Sequence, residues 1–248
     1  MDQLEGRNPV FEALRRERRA VRRVWLDQGA RPDQRIRGIL SMAEKRGIPT
    51  ARVHRGELDR MADGRVHNGV IAHAEPLPRY SARALVDQVL DHGERPPFFV
   101  MADGLAYEHN LGAILRSCLG FGVDGLFVPT RRGASLSPVV QRVAMGAAEV
   151  VPVVHEGLFA ALKPIKRAGI RVVGADMGGT PVGEARLGGA VCLVMGAEGR
   201  GLSPKLRERC DEVVSVPLLG GLESLNVSVA AAVLMYEKRR QDALGSEA

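Results

Sequence analysis

The sequence predicts an α/β protein, a mainly parallel sheet preceded by a small α/β module, on three observations. From Pro97 onward short apolar runs alternate with helical patterns, as required when every strand is buried on both faces of a parallel sheet. The first 75 residues alternate strand and helix signals on a shorter scale. Between them EPLPRY, a short helical pattern and HGERPP form a stretch rich in Pro and charge that suits a linker. The expected division is therefore residues 1–75, a linker over 76–97, and residues 98–248. With 45% hydrophobic and 26% charged residues in 248, the chain is too apolar to stay disordered and long enough to bury two cores.

In the first module, Asn8 to Arg19 reads as a helix with Asn8 as N-cap, Pro9 at the first helical position and Val10, Phe11 and Leu14 on one face. Val21 to Leu26 reads as a strand, Pro32 to Arg46 as a helix closed by Gly47, and Thr50 to His54 as a strand. Glu57 to Met61 is a short helix, Val66 to Ala74 the last strand, and a helix from Ala82 to Leu90 falls inside the linker.

In the second module the strands are Phe98 to Ala102, Gly125 to Val128, Val150 to Val154, Ile170 to Gly174, Val191 to Met195 and Glu212 to Pro217. The helices are Leu111 to Leu119, Pro138 to Ala148, Leu158 to Ala168, Pro204 to Cys210 and Leu225 to Gln241. In such sheets ligands gather at the carboxyl ends of the strands, so the turns there carry the informative residues.

Charge is unevenly spread. Residues 1–95 hold 19 basic and 14 acidic groups, whereas residues 96–248 hold 16 and 15. Arg15, Arg16, Arg18, Arg19, Arg22 and Arg23 crowd into nine positions. Arg forks onto phosphate in a way Lys cannot, so the cluster fits a polyanion such as RNA, with a solvated helix face as the alternative. The opening MDQLEGRNPVFEALRRERR is charged where a secretory signal needs an apolar run, and no stretch of about 18 apolar residues exists, so a cytoplasmic, membrane-free protein is expected. Cys118, Cys192 and Cys210 lack C-x-x-C spacing and read as buried reduced thiols.

Several chemistries drop out on inspection. There is no G-x-x-x-x-G-K-[ST], no G-x-S-x-G and no H-E-x-x-H, and the six histidines show no metal-ligand spacing, so no metal is expected. The turn LVMGAEGRGLSP places Gly196, Gly199 and Gly201 around Glu198, and lets a backbone approach a flat ligand before Ser203 and Pro204 open a helix. Its G-x-x-G-x-G spacing is not the dinucleotide fingerprint. The turn VPLLGGLESLNVSVAAAV offers Ser224 as an N-cap and puts Asn226 and Ser228 on an apolar helix, where they either satisfy backbone groups or face a ligand or a second subunit. The turn ADGLAYEHNLGAILRS offers Asn110 as a cap and sets Arg116 among apolar residues, either for a phosphate or developing alkoxide or as a surface arginine.

Together HNLGAILRS (109–117), LVMGAEGRGL (193–202) and SVPLLGGLESLNVSVAAAV (215–233) closely resemble, in order and spacing, the three motifs of the SpoU/TrmH family of SPOUT-class RNA methyltransferases. EGRNPVFEAL (5–14) and VHNGVIA (66–72) resemble pieces of the RNA-binding substrate domain that precedes many of these enzymes, most like the type acting on guanosine of 23S ribosomal RNA. Tyr107 and Glu108 stand where the family most often has Asp-Pro, so the loop over the substrate is expected to differ.

The resemblance implies 2′-O-methylation of an RNA ribose with S-adenosylmethionine, a C-terminal trefoil knot and an active site formed in a homodimer. General topology argues against knots, so nothing else in the sequence predicts one. By motif, Gly196, Val216, Leu225, Ala175 and Leu218 would line the donor pocket, and Asn110, Arg116, Glu198, Ser224 and Asn226 would surround the reacting centre, with Arg15, Arg19 and Arg23 on RNA. A guanidinium stays protonated, so Arg116 fits a phosphate anchor and alkoxide stabiliser better than a base, the proton leaving through phosphate, water or Glu198. The alternatives are a tRNA or resistance-type ribosomal RNA methylase, a catalytically silent RNA-binding factor, and a nicotinamide dehydrogenase that would lack its fingerprint.

Overall fold

The computed structural model describes residues 1–105, 107–130, 135–197 and 200–245. In chain order the first elements are β1 (Asp2–Glu5), α1 (Arg7–Arg16), β2 (Val21–Asp27), α2 (Gln34–Lys45), β3 (Thr50–Val53), α3 (Arg55–Met61) and β4 (Val70–Ala74). There follow α4 (Ala82–His92), β5 (Phe98–Ala102), α5 (Glu108–Gly120), β6 (Gly125–Val128), α6 (Pro138–Val143) and β7 (Val153–His155). The chain ends with α7 (Leu158–Arg167), β8 (Arg171–Pro181), β9 (Val191–Met195), α8 (Pro204–Arg207), β10 (Glu212–Ser215) and α9 (Val227–Gly245). It forms two compact units, Met1–Pro78 with Ser135–Val150, and Arg79–Ala134 with Val151–Ala248.

The first unit is a four-stranded sheet in the order β1-β4-β2-β3, in which only β2 and β3 run parallel. Alternation along β2 decides the layers: Val24 and Leu26 join Val10, Leu14, Ile36 and Ile39 on one face, while Trp25 meets Leu58 and Ile71 on the other. Gly6, at φ 108°, starts α1 in place of the expected Asn8, which lies inside the helix; Asp33 caps α2 by accepting from the Ile36 amide at 2.8 Å. The segment Ser135–Val150 packs in this unit rather than with its sequence neighbours. Arg19 explains part of that, because its buried guanidinium reaches Glu149, Gln141 (2.6 Å) and Asp2 (2.7 Å).

The second unit is a six-stranded, all-parallel sheet in the order β10-β8-β9-β5-β6-β7. All five residues of β5 and of β9 are buried, as the continuous apolar runs require. Phe99, Met101, Cys192 and Val194 pack with residues of α4, α7 and α8. On the opposite face Phe98 lies beneath Lys238 and Arg239 of α9. Helix α4, expected inside a linker, buries Ala82, Leu85 and Val86 in this core. Strand β8 runs seven residues beyond the expected Gly174, and its register with β10 jumps from Gly174 to Thr180, so 175–179 leave that ladder. Among the described residues no helix is long and apolar enough to cross a membrane.

Candidate active site

The carboxyl ends of β5, β8, β9 and β10 bring the three singled-out turns together. Gly104, after β5, would place a Cβ 3.3 Å from the Cβ of Ala197, after β9. Asn110 lies in the first turn of α5, which starts after Tyr107 rather than at Asn110 itself, and is buried. Its Oδ1 accepts from Nδ2 of Asn226 at 3.1 Å. Asn226, not Ser224, caps α9: its Oδ1 accepts from the Ser228 amide at 2.9 Å and from the Ser228 hydroxyl at 2.6 Å.

Beside this junction is a cavity of about 250 Å³. Ala175, Gly196, Val216, Leu218 and Leu225, the five positions assigned to the methyl donor, all line it, and so does Ser224. Its floor is apolar, from Val214, Val227, Ala230 and Leu234. Among the described residues, the backbone of Val216 to Leu225 makes no backbone hydrogen bonds, leaving amides and carbonyls available along the wall. Apolar floor and unpaired peptide groups suit a purine, which needs a flat apolar slot and donors and acceptors at its edge.

Gly196 has a different reason to be glycine than ligand approach. A Cβ there would stand 2.3 Å from the carbonyl carbon of Gly201, because the loop folds back on itself with Ala197 and Gly201 exchanging backbone bonds at 3.0 Å. Gly201, at φ 63°, lies against Asp176, whose carboxylate is held by Arg207 at 2.8 Å. Asp176, Arg200 and Glu223 line the cavity and were not anticipated; Asp176 follows the expected strand end Gly174, which is the signal that could have found it. Asp103, at the end of β5, has its carboxyl pushed above the usual carboxylate range by burial.

Arg116 is not part of the cavity wall. It is exposed on α5 and makes no ion pair or hydrogen bond with a described residue. Six residues from Asn110, it lies about 240° further round the helix, so the two cannot share a face within one chain. Glu198 lies outside the described residues. Of the arginines assigned to RNA, Arg15 shares Glu12 at 3.3 Å with Arg16 at 3.5 Å, and Arg23 is exposed with its guanidinium over Trp25. Arg19 is 6% exposed and ion-paired, which removes it from that group: a guanidinium already neutralised inside a core cannot reach a phosphate. Among the described residues no group of three His, Cys, Asp or Glu could hold a metal ion.

Comparison with known proteins agrees in both units. The family model for "RNA 2'-O ribose methyltransferase substrate binding" matches residues 3–80. The chain is 36% identical over 97% of its length, and 98% of the relative's, to the 23S rRNA (guanosine-2'-O-)-methyltransferase RlmB of Pseudomonas putida. It is 40% identical, over 95% of its length and 76% of the relative's, to an uncharacterized tRNA/rRNA methyltransferase of Mycobacterium ulcerans. The SpoU methyltransferase AviRb of Streptomyces viridochromogenes, solved with AdoMet, superposes with TM-score 0.77 at 25% identity, covering 97% of this chain and 90% of that one. The model for the SpoU rRNA Methylase family matches residues 97–236, more than half of the chain, and the protein belongs to that family.

Proposed function

We propose that this protein transfers a methyl group from S-adenosylmethionine to the 2′-hydroxyl of a ribose in RNA, a guanosine of large-subunit ribosomal RNA. The observation that carries the reading is the convergence of the five donor-assigned residues on one cavity next to the Asn110–Asn226 pair. The names of relatives similar along nearly the whole chain support the choice of ribosomal RNA. When bound, S-adenosylmethionine supplies a methyl group already activated on a sulfonium. The chain's task is then to orient the hydroxyl and ease loss of its proton. Asn110 and Asn226, mutually fixed, hold the junction of the first and third turns in place. Arg116 anchors the neighbouring phosphate and stabilises the forming alkoxide.

The homodimer belongs to this proposal. Helix α9 exposes Val229 (49%), Val233 (36%) and Tyr236 (60%), spaced to share one stripe of the helix, which a second copy would cover. A site completed by two chains reconciles the exposure of Arg116 with a role at the ribose. A knotted C-terminal threading belongs to the same proposal on the strength of the motifs alone; in the fold the chain returns from edge strand β10 to pack α9 on α5 and β9. We assign residues 1–75 to the substrate and 98–248 to the chemistry, except Ser135–Val150, which pack in the first unit.

The test is methyl transfer to protein-free large-subunit ribosomal RNA, with the product mapped for 2′-O-methyl sites, for native protein and Arg116→Ala. The native chain should modify one guanosine. The variant should retain under a tenth of the rate, about 1.4 kcal/mol of barrier, with unchanged donor affinity. Methylation on a base, or none, would refute the reading.

A further inference from the structure

A second cavity, of about 700 Å³, lies wholly within the first unit. Its floor joins two segments far apart in sequence, Gly6 to Pro9 and Asn68 with Gly69. Gly6, Asn68 and Gly69 all have positive φ (108°, 50° and 78°), which turns the backbone tightly on both sides. His67 pins the second turn: Nε2 lies 2.9 Å from the Asp59 carboxylate, and Nδ1 accepts from the Gly69 amide at 3.1 Å.

Five arginines face two acids around this cavity. Arg7 is tied to Asp33 at 2.6 Å and to the Asn68 carbonyl at 3.0 Å. Arg55 stands 3.7 Å from Asp27 with its side chain 67% exposed, and Arg142 donates to the Val66 carbonyl at 3.0 Å. Arg35 stacks on Phe11 with its guanidinium carbon 4.4 Å from the ring centre and stands 3.7 Å from Glu12. Arg31 is exposed and has no ion pair with a described residue. Between them, Pro9, Ala30 and Met145 give apolar wall, and Asn8 and Asn68 add carboxamides.

The arginine cluster that sequence alone singles out does not line this cavity and is largely neutralised. It runs from the C-terminal end of α1 into β2, and its first members meet the cavity's edge, because Glu12 is shared by Arg15, Arg16 and the cavity's Arg35, which stands 3.7 Å from it. There Arg22 pairs with Glu75 at 2.9 Å, Arg15 and Arg16 share Glu12, and Arg19 is buried.

We propose that the cavity takes one unpaired nucleotide of the RNA substrate, its phosphate on the arginines and its base against the apolar wall with an edge toward Asn8 and Asn68. Guanidinium forks match phosphate oxygens, and RNA is read in sequence mainly through unstacked bases whose edges meet polar side chains. An acidic peptide would use the arginines but not the apolar wall beside the two carboxamides. The assignment rests on the reading of the chain as an RNA methyltransferase and locates where that RNA is gripped.

The test is filter binding of full-length protein, without donor, to protein-free large-subunit ribosomal RNA across a salt series. Arg31→Glu with Arg55→Glu is compared with Arg22→Glu with Arg23→Glu, equal changes of charge at exposed positions, each checked by thermal melting. The cavity pair should weaken binding about tenfold or more and flatten the log–log salt slope by about one to two, the cluster pair less than about threefold. Binding by the cavity pair within about threefold of native, or equal weakening by both pairs, overturns the proposal. Methyl transfer measured in parallel separates the two readings. RNA bound through the cavity without methylation sinks only the enzymatic one, methylation with undiminished binding by the cavity pair sinks only this one, and a native protein that binds no RNA sinks both.

Discussion

Asn226 donates its side-chain amide to the carboxamide oxygen of Asn110 at 3.1 Å, joining residues 116 positions apart, while its own oxygen caps α9. One side chain thus starts a helix and fixes the junction of two turns. The roles separate chemically, because Asp caps a helix as well as Asn but cannot donate. Asn226→Asp should melt within about 0.5 kcal/mol of native and lose at least about tenfold in methyl transfer. Asn226→Ala should lose the same activity and a further ~1 kcal/mol of stability for the missing cap. Full activity in Asn226→Asp would leave the pair a structural detail.

Much of this was legible in the sequence. The strands of the second unit showed because both faces are buried, giving apolar runs such as Phe98 to Ala102 with no polar phase to confuse. Strand β1 was not legible: DQLE has one aliphatic residue, and Glu5 is fully buried there with its carboxylate met by Arg65, 60 positions away, at 2.9 Å and by the Gln3 amide at 2.8 Å. Helix α1 started two residues early because a positive φ at Gly6 sets its entry, not a capping side chain. The donor-pocket residues came from motif turns, and they do line one cavity. Asp176 was hidden where β8 departs from its β10 ladder, a register jump no periodicity signals. Arg19 was misplaced for a related reason, since a run of arginines does not say which one meets a buried Glu149.

That buried pair gives a pH-dependent prediction. Burial pushes the Glu149 carboxyl above the ordinary glutamate value of 4.5, outweighing the attraction of Arg19. Arg19→Met removes the attraction, so the folded value rises further and the ionised carboxyl is left uncompensated, costing about 3–5 kcal/mol at pH 7. An acid whose folded pKa is raised destabilises the fold only once pH exceeds its unfolded value, and fully above the folded one. The melting deficit of Arg19→Met relative to native should therefore shrink as pH falls from 7 toward 5. A deficit independent of pH in thermal melts would show that Glu149 does not bear the cost.

The three cysteines should be silent toward thiol reagents in the folded protein. Cys118 and Cys192 are fully buried with their thiols pushed well upward, and Cys210, partly exposed, is pushed up to about 11 by burial. At pH 8 Cys210 would then be thiolate in about one molecule in a thousand. An aromatic disulfide reagent should titrate no fast thiol in the native chain and three in denaturant. One thiol reacting within seconds natively would contradict this packing.

The exposed stripe on α9 tests the dimer. Val229, Val233 and Tyr236 are already partly in water in a single chain, so charging one of them costs the isolated subunit little, within about 0.5 kcal/mol for a surface position. In a two-fold interface each substitution appears twice, and facing carboxylates taken out of water without partners cost several kcal/mol. Val229→Glu with Val233→Glu should therefore convert a dimer into a folded monomer. The native chain should sediment as a dimer at sub-micromolar concentration, and the variant at the 26.7 kDa of one chain. If the donor cavity needs one chain and the ribose site two, the monomer should keep affinity for S-adenosylmethionine and lose methyl transfer. A native monomer with full activity would refute the dimer and the shared site together, and would return Arg116 to an ordinary surface residue.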